Sequence, residues 1–148
     1  MFTHIKHKID RPFVETAHTE EGHFYKTESG KTYPSITTVF RLLDDKKWYP
    51  FWVAKVARDE GINEAQAEIR CKEIGGNSLE MGNIVHKLAE EYLSNTTVNE
   101  PSSKIEEIDP MDLFIPLSEH LTKHVDKVNG LEIPLYSDDL QLAGTADC

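Results

Sequence analysis

Near its C-terminus the chain carries the run Leu140-Gln-Leu-Ala-Gly-Thr-Ala-Asp-Cys148, in which a single carboxylate, Asp147, follows a stretch of uncharged residues. A charge at the end of so apolar a run is paired, metal-bound or solvated in a cleft. Upstream, within Met81–Leu93, His86 and Glu90 stand four residues apart, on one helical face and about one turn from each other. Imidazole nitrogen and carboxylate oxygen both ligate divalent ions. Alone, however, such a His is also the mark of a satisfied structural imidazole, and Glu90 of a solvated helix edge. His120 and His124 form a second pair of this spacing beside Glu119. A zinc site needs about four ligands, and neither cysteine is near in sequence. His4 and His7 are too isolated to argue from, and Cys71 reads as a small helical residue.

The elements that must position these groups follow from periodicity and turn chemistry. Phe13–Ala17 and His23–Lys26 read as short strands around the turn Glu20-Glu21-Gly22, and Glu28–Lys31 marks a second turn before Thr32-Tyr33. Residues 1–34 are thus an N-terminal β meander. Pro34-Ser35 starts a helix with Ser35 as N-cap and Ile36, Val39, Phe40 and Leu43 as its apolar face. That geometry points Ser35, Thr37 and the first N–H groups outward, as a plain cap or as a phosphate contact. A second helix opens at Pro50 and runs from Phe51 to Glu60 until Gly61. Its aromatics Trp48, Tyr49, Phe51 and Trp52 suit core packing or a stack on an unpaired base.

A third helix spans 63–74 and ends at Gly75-Gly76, and a fourth opens at Asn77 or Ser78, burying Met81, Ile84, Val85, Leu88 and Tyr92. Ser94–Pro110 is a polar, acidic loop. Asp109-Pro110 starts a fifth helix with Leu113, Phe114, Leu117, Leu121 and Val125 on one face, stopping at Asn129-Gly130. Strands at 131–136 and 140–147 flank a turn at 137–139, making a C-terminal hairpin. The order of meander, helices and hairpin is an α+β pattern.

At 148 residues, 39% hydrophobic and 28% charged, the chain has ordinary globular composition and fits one domain. No window approaches 18 uncharged apolar residues, which excludes a membrane-spanning helix and predicts no membrane partner. Two cysteines make no disulfide framework, so a reducing cytoplasm is the expectation. The net charge of −10 argues against a simple nucleic-acid coat. Yet residues 41–58 hold Arg41, Lys46, Lys47, Lys55 and Arg58 against only Asp44 and Asp45. A basic working face on an acidic body fits that segregation.

Taken together, Gly82-x-x-x-His86-x-x-x-Glu90 followed by a hairpin ending in Gly144-x-x-Asp147 resembles the PD-(D/E)XK nuclease superfamily. Within it, the pattern is most similar to RecB-type exonucleases, including the phage-type and mitochondrial-genome-maintenance branches. Tyr33-Pro-Ser-Ile-Thr-Thr-Val39 and the Trp-containing helix add to the resemblance, which runs from about Tyr33 to Cys148. It implies a restriction-endonuclease-like core over 35–148 and a DNA exonuclease using Mg²⁺ or Mn²⁺. Asp147 and His86 would hold the metal, with Glu90 and Glu132 as supporting carboxylates. Ser35 and Thr37 would contact a backbone phosphate, with Lys46, Lys47, Trp52, Lys55 and Arg58 along the DNA. For a phage-type member the compartment is the host cytoplasm.

The family pattern also calls for a Glu-x-Lys strand after Asp147, and this sequence stops at Cys148. The expectation is therefore a chain inactive alone: a shortened polypeptide, or half of a split enzyme completed by a second chain or copy that extends the sheet. The alternatives are a non-catalytic nuclease-fold module binding DNA or a partner, an acidic DNA-mimicking inhibitor, and a helical adaptor without metal.

Overall fold

The structure is a computed structural model and describes residues 1–5, 14–43, 47–102 and 104–148. Phe13, expected to open a strand, and Lys46 lie outside them. The protein is α+β, with strands in a meander first, helices in the middle and an antiparallel hairpin last. Two compact units form: Met1–Phe2 with Lys46–Asp126, and Thr3–Asp45 with Lys127–Cys148.

The first unit is helical. Helix α2 (Trp48–Glu60) has Pro50 in its first turn and ends at Gly61, whose φ of +67° is the left-handed conformation a Gly accepts at a helix end. Asn63 then caps α3 (Glu64–Leu93) in a reciprocal box: its side chain accepts the Gln66 N–H at 2.9 Å, and the Gln66 side chain accepts the Asn63 N–H at 3.2 Å. Val53, Val56, Ala67 and Cys71 form the core between α2 and α3, with Tyr49 and Trp52 packed against it. Trp48, Tyr49 and Trp52 also meet one another at 5.8–6.0 Å between ring centres.

Helix α3 corrects the expected break at Gly75-Gly76: it runs through both glycines as one 30-residue helix. Two polar anchors bracket the pair. Arg70 and Asn77 both donate to Glu106, at 2.7 and 2.9 Å, tying both sides of the weak point to one carboxylate. Of the expected apolar face, Leu88 is buried and Met81, Ile84, Val85 and Tyr92 are half-buried; Leu93, one step beyond, is buried too.

Helix α4 (Pro110–His124) starts where Asp109 accepts the Met111 N–H at 2.9 Å. Phe114 is buried and meets Tyr92 edge-on, whereas Leu113 is about half exposed. The helix ends at His124, before the expected stop at Asn129-Gly130. No helix among the described residues is long and apolar enough to cross a membrane.

The second unit is built on strands. β1 (Thr3–His4) pairs in parallel with β5 (Lys127–Val128), a contact with no sequence signal because two residues show no periodicity. β2 (Val14–Thr19), β3 (Gly22–Thr27) and β4 (Thr32–Pro34) form the antiparallel meander, with a two-residue turn at Glu20-Glu21. β6 (Ile133–Ser137) and β7 (Leu142–Ala146) form the hairpin. Leu140, expected to lead the strand into the core, is 71% exposed in the turn, and Gln141 beside it takes a φ of +52°. The strand therefore begins at Leu142.

Tyr25, Tyr33 and Ala143 make the core of this unit. The Tyr25 hydroxyl bonds Thr145 at 3.0 Å, and the Tyr33 hydroxyl donates to Asp138, which also receives Lys31 at 2.6 Å. Helix α1 (Ile36–Leu43) departs in part from its expected orientation: Val39 is half-buried, but the other described members of the expected apolar face are not. Ile36 and Phe40 are exposed, while Ser35 and Thr38 are buried. Its polar face is the anchored one, because the Thr38 hydroxyl accepts the His23 N–H and donates to the His23 carbonyl. Gly22 makes room for this: a Cβ there would lie 2.5 Å from Thr38.

Candidate functional site

The hairpin register decides where the C-terminal carboxylate goes. Ser137 pairs with Leu142 and Ile133 with Ala146. One step further, the same register sets Glu132 opposite Asp147. Directly opposed residues project to one side of the ladder with their Cβ atoms about 5 Å apart. The Glu132 N–H donates to the Asp147 carbonyl at 3.1 Å, closing this open end. Glu132 takes a φ of +50° to do so. The two exposed side chains bring carboxylate oxygens within 4.8 Å of each other. Two negative charges that close repel, and a shared divalent cation relieves the repulsion. Carboxylate oxygens are donors that hard divalent cations in general accept.

Glu132 enters the sequence reading only as a supporting carboxylate. What hid the pairing was turn length: with the turn at 137–139 the strands slip out of this register, whereas the observed turn covers 138–141. His86 and Glu90 lie on α3, His86 exposed and Glu90 half-buried.

Of the expected phosphate contacts, Ser35 points inward rather than outward. It is buried, and its Oγ accepts the Thr38 N–H at 3.0 Å while bonding the Thr37 and Thr38 hydroxyls. Thr37 is exposed. On α2, Trp52 packs against the helical core rather than standing free for a base. Lys47 is exposed, Lys55 pairs with Asp59 at 2.5 Å, and Arg58 approaches the same carboxylate at 3.5 Å. The Lys55 ammonium holds the Asp59 carboxyl below its ordinary range. The basic stretch thus carries an internal counter-ion just beyond it. Compared with protein-family models, with curated proteins and with solved structures, the chain matches none.

Proposed function

We propose that this chain contributes to metal-dependent hydrolysis of DNA phosphodiesters, as an exonuclease of the RecB-like kind. The observation that carries the reading is the Glu132–Asp147 pair on one ladder step, where the sequence pattern already expects a metal-binding Asp. The family resemblance adds His86 as a further ligand and Glu90 as a supporting carboxylate. Bound there, Mg²⁺ or Mn²⁺ would neutralise charge developing on the phosphoryl group and acidify a water. The chain's own part is to fix the two carboxylates. Asp147 is set by the last rung of the β6–β7 ladder, and Glu132 by its backbone bond to Asp147.

Metal binding tests this directly, without requiring turnover. Calorimetric titration with Mn²⁺ should give one saturable site, and Asp147→Asn and Glu132→Gln should each weaken it about tenfold or more, roughly 1.4 kcal/mol. His86→Ala should weaken it as well. Release of nucleotides from linear duplex DNA in Mg²⁺, by this chain or by it together with a completing strand, is the activity arm. Mn²⁺ affinity unchanged in both carboxylate variants would sink the proposal. Metal binding without any DNA cleavage would favour the non-catalytic module instead.

A further inference from the structure

A cavity of about 270 Å³ lies between the β2–β3 turn and α1, lined by His18, His23, Thr37, Thr38 and Arg41. Nothing in the metal proposal uses it. At about 30 Å³ per water it holds a tetrahedral anion together with solvent. Three of its lining side chains are cationic or become so with a proton, and no carboxylate lines it among the described residues. His18 and His23 are cross-strand partners whose rings stack at 4.0 Å, only 13° from parallel. The His23 Nε2 is buried and has no hydrogen-bond partner among the described residues. Arg41 is oriented by the Glu20 and Glu21 carbonyls, which accept from its Nη2 at 3.4 and 2.5 Å without supplying a countercharge. The Thr38 N–H of the first turn of α1 is not a source of attraction, because Ser35 already holds it.

We propose that this pocket binds a tetrahedral oxyanion, a phosphate or phosphate monoester, together with protons on His18 and His23. Without an anion His23 resists charging. Burial, and then the charge of His18, holds His23 below the ordinary imidazole value of 6.5. Around the pair, Tyr25 packs at 4.6 Å from His23 with its hydroxyl on Thr145, and Arg41 is the charged group on the α1 side among the described residues. The turn carboxylates Glu20 and Glu21 are exposed, and Glu15 and Lys26 face each other three rungs away. A dianion supplies the missing countercharge, so binding and proton uptake reinforce each other.

Sulfate is the primary probe, since it stays a dianion across the histidine range and any pH dependence then belongs to the protein. The whole chain is titrated with sulfate at constant ionic strength while the histidine ring resonances are followed by NMR. Saturable shifts at His18 and His23 are expected, with affinity about tenfold tighter near pH 5.5 than near pH 8. Arg41→Gln and His18→Gln, both at exposed positions, should each cost about tenfold at acid pH while keeping a folded spectrum. Inorganic phosphate and a nucleoside monophosphate are then compared. Tighter binding of the ester assigns the site to an organic phosphate, and equal binding assigns it to the free anion. Absence of saturable shifts near pH 5.5, or shifts undiminished in both variants, overturns the assignment. None of these residues belongs to the proposed metal site, so either reading can fail without the other.

Discussion

Asp138 joins two parts of the strand unit through one side chain. It sits in the turn after β6, accepts the hydroxyl of buried Tyr33 and the ammonium of Lys31, and so fastens the hairpin to β4. The Lys31 bond, followed by the Tyr33 bond, holds its carboxyl below the usual range. A carboxyl lowered in the folded state stabilises above its unfolded pKa, and that contribution fades as pH falls through the folded pKa. Asp138→Asn should therefore lower the melting temperature at neutral pH, with the deficit shrinking below about pH 4. Thermal unfolding of both proteins across pH checks this, and a deficit that grows in acid would contradict it. Sequence reading reaches single residues unevenly. Asp147 stands out because a charge ends an apolar run, but its pairing with Glu132 depends on a turn length that residue types leave undetermined. Ser35 is rightly expected to cap its helix, yet capping alone does not say whether the hydroxyl faces solvent or the Thr38–His23 network.

At the scale of elements, α3 is where local propensity and tertiary context disagree. Two adjacent glycines disfavour a helix by about 1 kcal/mol each relative to Ala, which is why the sequence predicts a stop there. The helix continues because Glu106 clamps Arg70 and Asn77 on either side of the glycines. That clamp comes from a loop 29 residues beyond Asn77, and a local window cannot see it. The same contrast gives a test. A Cβ at Gly75 or Gly76 meets nothing within 4 Å, so Gly75→Ala with Gly76→Ala should stabilise by roughly 2 kcal/mol, a rise of about 5 °C in melting temperature. Were the glycines a helix stop in the left-handed conformation, the double substitution would destabilise instead. The elements that sequence places well have local causes: the Glu20-Glu21 turn, the Asp109-Pro110 start and the Gly61 stop. Helix α1 is found, but Thr38 is buried where the sequence predicts Ile36 and Phe40, since hydrogen bonds to His23 outweigh the burial of those two side chains.

At the scale of the whole molecule, the α+β order is readable because each pattern is contiguous, whereas the compact units are not contiguous. The strand unit takes residues from both ends of the chain, Thr3–Asp45 and Lys127–Cys148, and composition carries no mark of such a return. The helical unit is nearly one segment, Lys46–Asp126 plus Met1–Phe2. Its internal support is largely its own: the Val53–Val56–Ala67–Cys71 core, the Asn63 cap, the Glu106 clamp and the Tyr92–Phe114 contact all lie within that segment. Phe2, the other residue of this unit described with contacts to the segment, lies edge-on to Tyr92 at 5.2 Å and its backbone bonds Asn95 at 2.6 and 2.8 Å. A polypeptide of residues 46–126 should therefore keep its helices, melting cooperatively but below the full chain because the Phe2 contacts are gone. Residues 3–45 alone lack β5, β6 and β7 and should stay largely unfolded, since β1 loses its only described strand partner and Tyr25 loses both Ala143 and Thr145. Far-UV circular dichroism of the two polypeptides decides the matter. A disordered 46–126 beside an ordered 3–45 would show that the cores had been assigned to the wrong segments.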